Sequence, residues 1–520
     1  MKKAKNIMIQ GTMSNAGKSI LCAGLCRIFK EDDLKVAPFK SQNMALNSFI
    51  TKDGFEMGRA QVVQAEAAGV EPDVRMNPIL LKPTTDVGSQ VIVNGKPIGN
   101  MRAAEYFAYK KNLVPDIMEA YNSLAEDFDV IVLEGAGSPA EINLKSDDIV
   151  NMGMARMVDA PVLLAGDIDR GGVFAQLYGT IALLDEEDRA RVKGTIVNKF
   201  RGDKNILAPG LDILEEICGV PVVGVVPYLN VDIDDEDSLS TRLDRKTRKL
   251  IDIAVIKLPR ISNFTDFSPF ENYENVSLRY VMKASELADP DMIIIPGTKS
   301  TIADLIWLRE SGLEAKILQA ASRKENPAIV FGICGGFQML GRHISDPLKT
   351  EAAGLTEIDG MGLLPIETVF ENEKVQTQTH GVLFDVAGPL AGLSGMEYEG
   401  YEIHMGRESF IKNDMDLSED AKARICSKRS IIYSGSAQET GADKNINTNI
   451  NIYGTYTHGI FDAPGISDEI LKALCVRRGI DFSELGTFDA AAHKEEQYNI
   501  LAKALRESLD MELIYRIMNR

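Results

Sequence analysis

The chain has 520 residues, 45% of them apolar, and a formal net charge of −19. That length exceeds what one core usually holds, so two or three domains are expected, and the acidic balance argues against nucleic acid or an anionic membrane surface as partners. No apolar run approaches the ~20 residues of a membrane span, residues 1–5 lead straight into a strand pattern, and six scattered cysteines fit reduced thiols, so a cytoplasmic protein is expected.

Residues 6–10 read as a short buried strand and Gly11-Thr12-Met13-Ser14-Asn15-Ala16-Gly17-Lys18-Ser19 as a glycine-bounded loop. From Ile20 onward a helix is expected, with Leu21, Leu25, Ile28 and Phe29 on one face. This is the order a phosphate cradle needs. Amides from Gly11 and Thr12 through Asn15, Ala16 and Gly17, with the helix N-terminus, attract phosphate oxygens; Lys18 neutralises the β and γ phosphates. The Ser19 hydroxyl is a ligand for Mg²⁺, so ATP with Mg²⁺ is the expected cofactor pair. Five residues rather than four separate Gly11 from Gly17, the longer loop of the dethiobiotin-synthetase-like branch of P-loop proteins. Cys22 and Cys26, one helical turn apart, are expected in the core.

Short continuous apolar runs follow at 35–39, 130–133, 161–164, 194–197 and 221–226, the pattern of a parallel sheet covered on both faces. In such sheets ligands gather where strands end. Lys40, Gln42 and Asn43 follow the first run, and Asp167, Asp169 and Arg170 the third; both groups are expected to face the γ-phosphate, where an acceptor must sit. Glu134, after the second run, can reach Mg²⁺ beside Ser19, directly or through water. Asn198 is placed to read an adenine edge, with turn or capping duty the competing reading for it and for the two aspartates.

An acidic then basic stretch marks a linker over 231–249, separating an ATP-binding domain (1–230) from a second α/β unit (250–465). An insertion is expected near 411–451, with 436–451 a surface excursion, and a helical segment over 466–520. In this second unit the strand at 328–331 runs into Gly332-Ile333-Cys334-Gly335-Gly336, which exposes a thiol on a sharp turn with the Gly335 amide facing a developing oxyanion. The strand at 292–295 ends in a turn at Gly297, a second oxyanion donor, and that at 452–456 ends near His458, an imidazole to take the thiol proton. Three strand ends in one crevice describe a thiol that attacks an amide carbonyl.

Together with Pro38 to Met44, Glu134 to Leu144, Asp167 to Gly172 and Tyr401-Glu402-Ile403-His404-Met405-Gly406, these motifs occur in an order that resembles the cobyric acid synthase family, the glutamine-dependent amidase-synthetases of cobalamin biosynthesis. The resemblance implies a dethiobiotin-synthetase-like ATP domain fused to a flavodoxin-like class I glutamine amidotransferase domain. It also implies glutamine and a corrinoid, adenosylcobyrinic acid a,c-diamide, as substrates, the corrinoid amidated at its b, d, e and g carboxylates. His458-Gly459-Ile460 has isoleucine where class I amidotransferases commonly carry an orienting glutamate. This family shares that gap, so a Cys–His dyad is expected and the group that orients His458 is open; His404 is one option, beside a glutamine-pocket or structural role. Cobyrinic acid a,c-diamide synthase is the nearest alternative, disfavoured by Gln42-Asn43-Met44 and Asp169-Arg170-Gly171-Gly172. A partitioning-type ATPase switch usually has an early lysine in its phosphate loop, and residues 11–15 have none. The remaining alternative is a binding protein with a silent thiol domain.

Overall fold

The structure, a computed structural model, describes residues 4–85, 88–233, 248–351, 355–410, 432–435, 450–486 and 489–519. Most of the expected linker (231–249) and insertion (411–451), with Cys426, lies outside the described residues.

The apolar runs of the first half form one six-stranded parallel sheet in the order Val222–Pro227, Val192–Phe200, Val162–Asp167, Lys5–Gly11, Val130–Glu134, Val36–Phe39. Its central strands are buried on both faces, which is why they read as unbroken apolar runs rather than alternating ones. One face packs on a core containing Ile117, Tyr121 and Leu177, the other on helix Lys18–Glu31. Cys22 and Cys26 belong to this second core, where burial pushes both thiols up.

The C-terminal segment divides between the two halves. Helix Ile466–Arg478 places Ile470 and Leu474 in the core of the second half. Helix Ala490–Ser508 returns to the first half and packs Tyr498, Leu501 and Leu505 with Ile7 and Leu25. Arg27 fixes it by donating to Glu495 (2.7 Å) and Asn499 (2.6 Å).

Beyond Phe39 the chain builds a smaller sheet, Gln42–Met44, Ile79–Thr85, Gly88–Val93 and Lys96–Arg102, and a hairpin of Ser48–Ile50 with Glu56–Gly58. The second half repeats the parallel design: Val276–Val281, Ile251–Ile256, Met292–Ile295, Ile329–Ile333, Ile452–Thr455, closed by the antiparallel edge strand Tyr433–Gly435. From it extends a long hairpin, Ile366–Val382 with Glu397–Phe410. That hairpin meets the first half: Lys374 and Gln376 bond Glu56, and Gln378 donates to the Ile50 carbonyl.

Candidate active site

Cys334 ends strand Ile329–Ile333 with φ 50° and ψ −108°, a strained conformation for a residue with a Cβ. The turn is possible because its neighbours are glycines. A Cβ on Gly336 would lie 1.9 Å from the Ile295 carbonyl oxygen, so only glycine lets the Gly335–Met339 helix start this close to the next strand. The Gly335 and Thr298 backbones face each other, and a Cβ on Gly335 would stand 3.2 Å from the Thr298 amide nitrogen. Gly297 leaves room for both reacting side chains: a Cβ there would meet His458 Cε1 at 3.0 Å and Cys334 Cβ at 3.7 Å. The Gly297 carbonyl is held by the Ser262 amide at 2.9 Å.

His458 follows strand Ile452–Thr455, is buried, and lies beside Cys334, whose thiol stands 3.6 Å from the Ile403 carbonyl oxygen. Its other ring nitrogen, Nδ1, lies 2.6 Å from Oδ2 of Asp266, a buried residue whose Oδ1 accepts from the Gly459 amide at 3.1 Å. The orienting group left open by the sequence is therefore Asp266. It comes from the short turn Phe264–Phe267 after the first strand of the same sheet. His404 does not orient His458: it stacks on Tyr456 with centroids 3.7 Å apart, its Nδ1 sits 2.7 Å from the Gly406 carbonyl, and it lines the cavity in front of Cys334. Burial opposes a charge on His458, but the Asp266 carboxylate and the Cys334 contact outweigh it and push the imidazole up to about 10. Asp266→Asn is expected to lower glutaminase kcat by about 10²-fold. With the carboxylate gone the imidazolium loses its proton at lower pH, so the alkaline limb of the pH–rate profile moves toward neutrality.

The thiol opens into a cavity lined by Lys299, Glu351, Gln338 and Lys374 of the second half and by Lys82 and Thr84 of the first. The two halves also meet behind His458. Tyr401 stacks on the imidazole at 5.5 Å, and its hydroxyl donates to the Ser48 carbonyl (3.0 Å) and accepts from Asn263 (2.7 Å).

At the phosphate loop, Gly17 has φ 90° and packs so tightly that a Cβ would lie 2.2 Å from the Asn198 amide nitrogen. That nitrogen donates to the Ala16 carbonyl at 2.8 Å, so Asn198 buttresses the loop from strand Val192–Phe200. Gly11 ends strand Lys5–Gly11, and the Thr12 hydroxyl donates to Gln176 at 3.1 Å. Lys18 is buried and donates to the Met13 and Gly137 carbonyls, both at 3.1 Å. Glu134, 1% exposed, gathers four donors: Ser19 (2.8 Å) and Lys40 (2.9 Å) on Oε1, Gln64 (2.6 Å) and Gln61 (3.3 Å) on Oε2. Asn43 joins this network through Gln61 at 3.1 Å, and Gln42 accepts from Tyr106 at 2.5 Å. Asp167 pairs with Lys199 at 2.9 Å, and Lys199 also donates to the Asn15 carbonyl at 2.5 Å. Asp169 pairs with Arg201 at 3.0 Å, while Arg170 is 3.9 Å from Asp167. Gln61, Gln64 and Lys199 were not indicated by motif reading; each is a polar residue buried or half-buried at the end of the nucleotide sheet.

Ser19 and Glu134 set one hydroxyl and one carboxylate side by side at the loop, a donor set that suits Mg²⁺, which typically takes one or two protein ligands plus phosphate oxygens and water. Among the described residues no group of three or more His, Cys, Asp or Glu could hold a metal alone, and no helix is long and apolar enough to cross a membrane.

Fold and site together define a glutamine amidotransferase joined to a P-loop nucleotide-binding domain. Residues 7–239 match the CobQ/CobB/MinD/ParA nucleotide binding domain, and residues 252–466 the CobB/CobQ-like glutamine amidotransferase domain. Proteins described as cobyric acid synthase match over nearly the whole chain: that of Lachnoclostridium phytofermentans is 61% identical, covering 99% of each chain. That of Ruminiclostridium cellulolyticum is 60% identical over 99% of this chain and 97% of the relative, and that of Streptococcus sanguinis 50% over 99% of both. The chain belongs to the cobyric acid synthase family.

Proposed function

We propose that this chain converts the b, d, e and g carboxylates of adenosylcobyrinic acid a,c-diamide to carboxamides, using glutamine as nitrogen donor and ATP to activate each carboxylate. The observation that carries this reading is the pairing, within one polypeptide, of the Cys334–His458–Asp266 cluster with the Lys18–Ser19–Glu134 phosphate site. Cys334 passes its proton to His458 and attacks the glutamine side-chain carbonyl as the thiolate, and the amides of Gly335 and of the Gly297 turn hold the oxyanion. Imidazolium at His458 gives its proton to the departing ammonia, and water then releases glutamate from the thioester.

In the first half, Lys18 and the amides from Gly11 to Gly17 hold the triphosphate so that a substrate carboxylate attacks the γ-phosphorus; ADP leaves and an acyl phosphate forms. Ser19 and Glu134 are the residues to hold Mg²⁺, which when bound neutralises charge on the phosphates. Lys40, Asp167 and Arg170 border the acceptor side. Activation is needed because a free carboxylate is a poor acyl donor, and ammonia must reach the acyl phosphate before water does. Incubating the a,c-diamide with protein, ATP and glutamine should yield, by mass spectrometry, four successive carboxyl-to-carboxamide conversions. A corrinoid recovered unchanged while glutamine is hydrolysed would refute the assignment.

A further inference from the structure

The glutamine cavity holds two charged groups that the thiol chemistry leaves unused. Three lysines line it, but Lys82 and Lys374 are both held by Glu56, at 2.9 and 2.6 Å. Lys299 is different: among the described residues its ammonium has no hydrogen-bond acceptor or ion-pair partner. Burial, reinforced by Lys374 and Lys82, brings Lys299 down to about 7, with Glu56 and Glu351 offsetting little of it. It follows the Gly297-Thr298 turn directly, so its backbone is fixed relative to the oxyanion donors.

Glu351 is the sole carboxylate among the described residues lining this cavity. Its oxygens accept from the Thr301 and Ile302 amides at 2.8 and 2.9 Å, which holds the carboxylate rigidly at the start of helix Thr301–Glu310. Even so, burial pushes Glu351 up to about 7, because one Lys299 charge in the same cavity offsets little of the desolvation. The two groups sense each other electrostatically but form no ion pair.

A cavity with one unpaired cation, one anion and a nucleophile matches an α-amino acid whose side-chain amide faces the nucleophile. We infer that Lys299 binds the α-carboxylate and Glu351 the α-ammonium of glutamine, so that these two side chains select the free amino acid over other primary amides. This inference rests on the amidotransferase reading. The bound zwitterion supplies each of the two side chains with a counter-charge.

The test measures ammonia release by the full chain from glutamine, from glutaramate, which lacks the α-amino group, and from 4-aminobutanamide, which lacks the α-carboxylate. The wild type should prefer glutamine over each analogue by on the order of 10²-fold or more in kcat/KM. Lys299→Met should shrink the preference over 4-aminobutanamide at least about tenfold and leave that over glutaramate; Glu351→Gln should do the reverse. Each ratio is internal to one preparation, so a partly unfolded variant does not disturb it. Unchanged ratios in the variants, even with lower activity throughout, would overturn the assignment and leave Glu351 as a structural cap of its helix. A wild type that accepts the analogues as readily as glutamine would also overturn it, whereas a wild type that releases no ammonia from any of the three would instead remove the amidotransferase reading.

Discussion

Cys334→Ser is expected to lower glutamine-driven amidation by on the order of 10⁴-fold or more while leaving amidation driven by added ammonium near the wild-type rate. The first half of that expectation follows from chemistry at one atom. A serine hydroxyl in the same turn is a far weaker nucleophile than a thiolate, and the Asp266–His458 pair is built to hold a proton rather than to strip one from an alcohol. The second half follows from architecture. Lys18, Ser19 and Glu134 sit at the strand ends of the other sheet, where Lys18 bonds the Met13 and Gly137 carbonyls and Glu134 accepts from Ser19, Lys40, Gln61 and Gln64. Side-by-side assays of the variant with glutamine and with ammonium chloride check both. Equal loss with the two nitrogen sources would mean that the two half-reactions are not divided between the sheets as proposed.

How much of this was legible in the sequence depends on how local each signal is. Continuous apolar runs marked the parallel strands because burial on both faces removes any alternation, and each motif at a strand end fell in a crevice because parallel strands bring those ends together. Cys334, His458 and the phosphate loop were readable for that reason. Asp266 was not: it stands 192 positions before His458 and outside any spacing motif. Its one local signal is an acid set among Phe264, Phe267 and Phe270, all buried, where a carboxylate needs a partner. The small sheet over residues 42–102 gives no continuous apolar signal because its strands mix polar with apolar residues, as in Gly88–Val93, or are largely exposed, as in Lys96–Arg102. The return of helix Ala490–Ser508 to the first half was hidden for another reason: an amphipathic pattern tells which face is buried, not which core buries it.

Glu56→Gln is expected to destabilise the union of the two halves by about 3–5 kcal/mol, the penalty for stranding buried charges. Glu56 is fully buried and receives Lys82 (2.9 Å) from its own half, and Lys374 (2.6 Å) and Gln376 (3.0 Å) from the long hairpin of the other. An amide in its place supplies one acceptor to two ammonium groups and turns two donors of its own toward them. Desolvation would raise the Glu56 carboxyl, but Lys374 and Lys82 overcome it and hold the group well below the ordinary carboxylate range. Because the folded value is depressed, the stabilisation is complete above the unfolded value of 4.5 and fades as pH falls below it toward the folded value. The gap in unfolding midpoint between wild type and variant should therefore be constant near neutrality and narrow only in acid. Adding Lys82→Met to the Glu56→Gln variant should recover part of the loss, since one of the stranded charges is then gone. The effect should also reach function: Lys374 lines the glutamine cavity, while Glu56 lies three residues before helix Arg59–Ala68, whose Gln61 and Gln64 grip Glu134 at the phosphate site. A variant whose unfolding midpoint and pH dependence match those of the wild type would show that this ion cluster does not fasten the halves together.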